Sequence, residues 1–147
     1  MLSNTCKYAI RSVIFLSINN SENKKIGIKE ISKELNIPSP FLGKILQILA
    51  KHKLLNSTKG PNGGFSLAKP ANEISLLNII EIIDGLDLFT NCIIGLRTCK
   101  QTGNIDLHCP IHSRYKPIGI QLYELFNSES IENLKNEILD SNGKIGL

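Results

Sequence analysis

The chain has 147 residues with a formal net charge of +4, and 41% of its residues are hydrophobic. That length favours one domain, or one small domain with an appendage, and that apolar content excludes a disordered chain. The apolar run near the N-terminus is short and is interrupted by Lys7 and Arg11, so the sequence predicts neither a signal peptide nor a membrane span. These features indicate a cytoplasmic protein with no membrane partner.

The charge is distributed unevenly between the two halves of the chain. Residues 1–70 contain eleven Lys and Arg against three acidic residues, whereas residues 71–147 contain six Lys and Arg against ten acidic residues. A basic half joined to an acidic half is typical of a module that binds a polyanion such as double-stranded DNA. Solvated surface lysines are the alternative explanation, because charge alone does not identify a partner.

The N-terminal part of the chain predicts three helices. Apolar residues recur at helical spacing over about residues 4–18 and again over residues 28–35, where Pro38 prevents the second helix from continuing. The third helix is predicted to begin with Ser39 as its N-cap and Pro40 in its first turn. Two short helices with so tight a connection predict a helix-turn-helix, although a helical hairpin in a bundle has a similar pattern.

The stretch "LLNSTKGPNGGFSLAKP" follows the third helix and predicts two strands joined by a glycine-rich turn. A hairpin directly after the second helix of a helix-turn-helix is the wing of a winged helix. We therefore predict a mainly α protein with a small β-hairpin. Residues 1–72 are predicted to form a winged helix-turn-helix domain. Residues 73–147 contain a helix, a cysteine-rich loop over residues 88–112 and a long C-terminal dimerisation helix.

The third helix is the predicted recognition helix, because short or polar residues near its start suit insertion into the major groove. Phe41 is assigned either to a thymine methyl contact or to the protein core. Phosphate contacts are predicted from Lys7, Arg11, Lys29, Lys51, Lys53 and Lys59. The residues predicted to bind DNA are Lys29, Ser39, Pro40, Phe41, Lys44, Gln47, Lys51, Lys59, Gly60, Asn62 and Gly63.

The second half predicts a helix capped by Ser75 and ended by Gly85, and a long helix that starts at Pro110 and contains Pro117. A last helix is capped by Ser128 or Ser130. The long helix is the predicted homodimer element, since so apolar a helix needs a partner surface, and packing within the chain is the alternative. Its recurring apolar residues are Ile111, Ile118, Leu122, Leu125 and Phe126.

Three of the four cysteines lie in one loop, as Cys92, Cys99 and Cys109. Three thiolates can hold an iron–sulfur cluster on a loop that has little hydrophobic anchoring of its own, and His112 follows Cys109 closely enough to join them. Zinc bound by three cysteines and a histidine, a reversible disulfide, and cysteines acting as small apolar residues are the alternatives. Iron suits a sensor best, because zinc does not change its redox state.

Four features together resemble the IscR/NsrR/CymR family of bacterial winged-helix regulators, also called the Rrf-two family. They are "CKYAIRSVIFL", "IKEISKELNIPSPFLGKILQIL", "STKGPNGGFSLAKP" and the loop that carries Cys92, Cys99 and Cys109. The resemblance covers residues 1 to about 127. It implies homodimers with crossing C-terminal helices that bind near-palindromic operators and repress or activate genes of iron–sulfur assembly, nitric oxide defence, redox balance or cysteine metabolism.

The resemblance also implies the cofactor, because members with three cysteines in this loop look like sensors that carry a 2Fe–2S or 4Fe–4S cluster. Some relatives take a further ligand from the partner's first helix, so the candidates for the fourth ligand here are His112 and Cys6 of the partner subunit, followed by His108 and Asp106. A buried helix cysteine is the alternative for Cys6. The implied function is a regulator that senses redox, nitric oxide or iron–sulfur status, and the alternative is a cluster-free repressor controlled by thiol oxidation or a partner protein.

The sequence departs from the family pattern in three places. The interval between Cys99 and Cys109 is longer than is usual, which leaves the cluster type open. Gly43 replaces a longer polar side chain in the recognition helix, so the operator sequence of relatives does not predict the one that this protein binds. Lys59 replaces an arginine that is common in the wing, and lysine lacks the fork that grips a base or phosphate at two points.

An enzyme is not predicted, because the sequence contains no catalytic triad, phosphate loop or paired carboxylates.

Overall fold

The computed structural model describes residues 1–19, 24–91, 94 and 110–141. A short 3-10 turn at Ala71–Glu73 separates the N-terminal elements from the C-terminal ones. The helices and strands are α1 (Asn4–Ile18), α2 (Ile28–Leu35), α3 (Ser39–Lys51), β1 (Leu55–Thr58), β2 (Gly64–Leu67), α4 (Leu76–Ile83), α5 (Asp87–Thr90), α6 (His112–Ser128) and α7 (Ile131–Asp140).

The helix-turn-helix is formed by α2 and α3, and Asn36 closes α2 in the left-handed conformation with φ 54°. The prediction that Ser39 is the N-cap of α3 is wrong. Pro38 holds the cap position, and its carbonyl oxygen accepts hydrogen bonds from the N–H groups of Phe41 and Leu42 at 3.1 and 3.0 Å. Proline has the extended ψ of 127° that a cap needs, so Ser39 is already the first helical residue.

The wing is an antiparallel hairpin in which Leu55 pairs with Leu67 and Thr58 pairs with Gly64. Ile26 extends the sheet on the other side of β2, because its N–H and C=O groups each form a 2.9 Å hydrogen bond with Phe65. This close approach requires glycine at position 64, where a Cβ atom would lie 2.4 Å from the carbonyl oxygen of Ile26. The predicted strand–turn–strand unit is confirmed.

The C-terminal helices begin at well-formed caps. The side chain of Ser75 accepts a hydrogen bond from the Asn78 N–H while the Asn78 side chain accepts one from the Ser75 N–H, which is a reciprocal capping box for α4. Gly85, with φ 76°, follows the end of α4 as predicted. Ser130 and not Ser128 caps α7, because its side chain accepts the N–H of Asn133 at 3.1 Å.

One core spans both halves of the described chain. Apolar side chains of the winged helix, such as Ile45 and Leu46, share a buried cluster with Ile74, Ile79 and Ile131. Because α7 packs against α1, the end of the described chain returns to the N-terminal domain. The domain division at residue 72 stays a prediction.

The described part of the chain contains no helix that is both long and apolar enough to cross a bilayer. The prediction of a loop over residues 88–112 is wrong at its start, because residues 87–90 form the short helix α5. Its central part lies outside the described residues, as do the last six residues of the chain.

Candidate nucleic-acid interface and cysteine segment

The recognition helix α3 is buried on one side and open on the other. Leu42, Ile45, Leu46 and Leu49 are at most 1% exposed, and their spacing of three and four residues places them on one face. The predicted DNA-binding residues of α3 lie outside that face. Exposed among them are Pro40, Phe41, Lys44, Gln47 and Lys51, while Ser39 is half-buried.

Phe41 is not a core residue, because 40% of its surface is exposed. Its ring meets the edge of the Tyr8 ring with a centroid separation of 5.8 Å and an interplanar angle of 87°. Edge-to-face aromatic pairs are favourable beyond the area that they bury. The contact fixes the start of α3 against α1 and leaves the rest of the Phe41 ring available to a thymine methyl group.

The wing is connected to the recognition helix, since the Gln47 side-chain amide donates to the hydroxyl of Ser57 at 3.3 Å. At the wing tip, Lys59, Gly60 and Asn62 are exposed and Gly63 is half-buried. The N–H of Gly63 donates to the carbonyl oxygen of Gly60 at 2.9 Å, which forms the tight turn. The predicted tip residues therefore stand together at the end of the hairpin.

The lysines predicted to contact phosphates are free of acidic partners in the described ranges. Lys7, Lys29, Lys51 and Lys53 are all exposed. Only one ion pair occurs among the described residues, between Lys135 and Glu132 on α7. The positive charge of the winged helix is therefore not neutralised by ion pairs that the structure describes, which favours long-range attraction of DNA.

Arg11 differs from the lysines because it is half-buried on α1. Its Nε atom is enclosed and has no hydrogen-bond partner in the part of the chain that the structure describes. Sequence reasoning missed Lys25, whose ammonium group donates to the hydroxyl of Thr58 on the wing at 2.6 Å. The only signal for Lys25 in the sequence is a pair of lysines immediately before an apolar residue.

Cys6 is fully buried in α1. Burial, reinforced by the negative charge of Asp84 and a hydrogen bond to its carboxylate, raises the pKa of the Cys6 thiol from 9.0 to about 12. The same carboxylate accepts the N–H of Ser3 at 2.8 Å and its hydroxyl at 2.5 Å. The described structure thus favours the interpretation of Cys6 as a protonated core thiol.

The raised pKa of Cys6 has a measurable effect on the free energy of unfolding. Between pH 9.0 and about 12 the unfolded chain loses this proton while the folded chain keeps it, so Cys6 stabilises the fold fully below pH 9.0 and loses this contribution as the pH rises. We expect denaturant titrations to show a steeper loss of stability over this interval in the wild type than in Cys6→Ala. Equal slopes in the two proteins would show that Cys6 does not keep its proton in the folded state.

The predicted cluster ligands Cys92, Cys99 and Cys109 lie outside the described residues. The elements on either side of them are described and are in contact with each other. The Tyr115 hydroxyl on α6 donates to the Leu88 carbonyl oxygen on α5 at 3.1 Å. The Phe89 ring lies edge-to-face against Tyr123 and Phe126, with centroid separations of 5.4 and 6.1 Å.

Helix α6 has an apolar stripe that no described residue covers. Ile118 and Leu125 are 59% and 53% exposed, and Ile111 is also exposed. Their separation of seven residues places them along one side of the helix. His112, the candidate fourth ligand, opens α6 and is half-buried.

Comparison with known proteins shows several relatives. The Rrf2 family, described as iron-dependent transcriptional regulators, matches residues 2–137. An HTH-type transcriptional regulator of Aquifex aeolicus is 31% identical over 136 residues and 92% of each chain. The HTH-type transcriptional regulator IscR of Photorhabdus laumondii is 28% identical over 145 residues, which cover 97% of this chain and 85% of IscR. The solved structure of CymR, the global cysteine regulator of B. subtilis, has a TM-score of 0.77 at 18% identity and covers 93% of this chain and 97% of its own.

A helix-turn-helix with an open recognition face, followed by a hairpin wing in a basic domain, defines a DNA-binding transcription regulator. The family match extends over nearly the whole chain, and the Aquifex regulator aligns over almost its full length. The chain belongs to the Rrf2 family of transcriptional regulators. The predicted family and fold class are confirmed, and the descriptions of the relatives assign the chain to regulators and not to enzymes.

Proposed function

We propose that the protein is a homodimeric regulator that binds a near-palindromic operator in the cytoplasm and senses iron–sulfur status, redox state or nitric oxide through Cys92, Cys99 and Cys109. Three cysteines in one segment supply the thiolates that iron–sulfur clusters require. The description of the family as iron-dependent regulators supports iron over zinc. The likeness to CymR supports the fold alone, since the identity is 18%.

The observation that carries this proposal is the contact between α5 and α6. The hydroxyl of Tyr115 lies 3.1 Å from the carbonyl oxygen of Leu88, so the two ends of the intervening segment are held together. Cys92 follows Leu88 by four residues, and Cys109 precedes Tyr115 by six residues. The described elements on either side of the three cysteines are therefore in contact, which supports the proposal that the three cysteines share one site.

The donor set fits an iron–sulfur cluster of the 2Fe–2S or 4Fe–4S type. Cys92, Cys99 and Cys109 would hold it, and a bound cluster would supply redox reactivity towards oxygen, peroxide and nitric oxide. We favour His112 as the fourth ligand over Cys6 of the partner subunit. His112 begins α6 beside the segment and is partly accessible, whereas the thiol of Cys6 is fully buried and its pKa is raised to about 12.

The exposed stripe of α6 supports the homodimer. Ile118 and Leu125 lie one above the other on the helix and are both more than half exposed. Apolar side chains in such a row gain stability when a second helix covers them. Two copies of α6 packed along this stripe would place two winged helices side by side, as a near-palindromic operator requires.

The contacts of α5 offer a path from the cysteine segment to the DNA-binding heads. Phe89 packs on Tyr123 and Phe126 of α6, and α6 also packs against α4. A change in the cysteine segment would therefore shift α5 against the dimer helix and alter the spacing of the two recognition helices. A coupling of about 1–3 kcal/mol would change operator affinity by about 5- to 150-fold.

Anaerobic purification followed by iron and acid-labile sulfide analysis tests the proposal. We expect a coloured protein that contains both elements, together with operator binding that changes when the protein is exposed to air. A colourless protein free of iron and sulfide, whose DNA binding still responds to thiol oxidants, would instead support the cluster-free repressor. Zinc without sulfide would identify a structural zinc site and would also contradict the proposal.

A further inference from the structure

We propose that Lys25, held across the outer face of the wing by Thr58, contacts the DNA backbone and extends the operator footprint beyond the wing tip. This inference rests on DNA binding by the winged helix and does not depend on the cysteines. Lys25 lies in the connection between α1 and α2. It is therefore distant in sequence from both the recognition helix and the wing tip. The partner chemistry is a phosphodiester anion.

Backbone pairing places Lys25 on the wing. The next residue, Ile26, exchanges two hydrogen bonds of 2.9 Å with Phe65 and so forms a third row beside β2. Ile26 and Phe65 point into the core, with exposures of 2% and 6%. Because side chains alternate along extended backbone, Lys25 and Ser66, which lie opposite each other in this antiparallel pairing, face the outer side of the sheet.

The Lys25 side chain crosses the outer face of the wing. Thr58 is exposed and pairs with Gly64, two residues before Ser66 on β2, so the Lys25 side chain runs diagonally across β2 towards Thr58. The Lys25 ammonium group reaches the Thr58 hydroxyl at 2.6 Å. A long side chain that is already held in one conformation loses less rotamer entropy when it binds a ligand.

The charge of Lys25 is available to an external anion. Its hydrogen-bond partner is a neutral hydroxyl, and no described carboxylate forms an ion pair with it. An ammonium group has three N–H donors, so two remain after the bond to Thr58. Asn56 and Ser66 are the other outward residues of the paired strands, and they make this face polar and not apolar. A polar face whose positive charge no described carboxylate neutralises suits a phosphate backbone better than a protein partner.

The position of Lys25 relative to the wing tip identifies the part of the DNA that this lysine would contact. Thr58 directly precedes Lys59 and the turn of residues 60–63, of which the first three are exposed. Lys25 is therefore beside the residues predicted to approach the groove, but on the flank of the hairpin and not at its end. A flanking lysine contacts phosphates, which adds affinity without adding base specificity.

The test compares Lys25→Gln with the wild type on a duplex of about 30 base pairs that the wild-type protein has selected from a random pool, a length that accommodates two half-sites. Fluorescence anisotropy gives the dissociation constant between about 50 and 200 mM salt. We expect binding about tenfold weaker at the lowest salt. We also expect the slope of log K against log salt to fall by about 0.9 per protomer, or roughly 2 per dimer.

Lys135→Gln is the matched control, because it removes the same charge from α7, where Lys135 already pairs with Glu132 at 2.9 Å. We expect its salt slope to equal that of the wild type. Thr58→Val keeps the charge of Lys25 but removes its anchor, so we expect weaker binding with an unchanged slope. A Lys25→Gln protein with the wild-type slope would overturn the proposal, whether or not its affinity fell. Failure of the wild-type protein to select any duplex would instead contradict DNA binding itself.

Discussion

Replacing both Ile118 and Leu125 with aspartate is expected to convert the protein from a dimer into a monomer and to weaken operator binding about 100-fold or more. Both side chains are more than half exposed on one side of α6, so the change should leave the fold of each subunit intact. In a dimer the four new carboxylates would be buried near one another, which is strongly unfavourable. Analytical ultracentrifugation reports the oligomeric state, and anisotropy with the selected duplex reports the affinity.

The loss of affinity follows from the loss of one half-site. A monomer contacts a single half-site, whereas a dimer binds two half-sites without a second loss of translational freedom. Ser113→Asp with Asn127→Asp is the matched control, because these two exposed positions lie on the far side of α6 from the stripe and add the same charge. We expect the control to sediment as a dimer. A dimeric Ile118→Asp, Leu125→Asp protein would show that α6 does not form the interface.

The helix-turn-helix and the wing could be predicted from the sequence because local chemistry specifies them. The repeat of Ile28, Ile31 and Leu35 predicts the amphipathic α2, and the glycine-rich turn at residues 59–64 has few alternatives to a hairpin. The cap of α3 could not be chosen by residue type alone. Ser39 is the better N-cap side chain, but Pro38 already has the backbone conformation that the cap requires.

Features that depend on tertiary contacts were not visible in the sequence. Helix α5 has only four residues, and it gains its stability from Phe89 packing on α6 and not from a periodic pattern. Lys25 becomes a candidate DNA contact only because Ile26 pairs with a strand that lies about forty residues further along the chain. The burial of Cys6 against Asp84 likewise joins the first helix to the end of α4.

Substituting Cys99 with alanine is expected to remove most of the iron and acid-labile sulfide from anaerobically purified protein, together with its visible absorption. Cys99 lies between the two cysteines nearest the closed ends of the segment, and its loss leaves too few thiolates to retain a cluster. Operator affinity should shift by about 5- to 150-fold towards that of the air-exposed wild type, because the proposed cluster would then be missing in both proteins.

Cys6→Ala is the matched control, since it removes one cysteine from a site that is fully buried in α1. We expect it to keep the iron and sulfide of the wild type while its stability falls by about 1 kcal/mol from the lost packing. Cys99→Ala protein that retains full iron and sulfide would show that the cluster ligands are elsewhere. Loss of iron in Cys6→Ala at unchanged secondary structure would make Cys6 of the partner subunit the fourth ligand, because the residue would then have to leave the core and reach across the dimer.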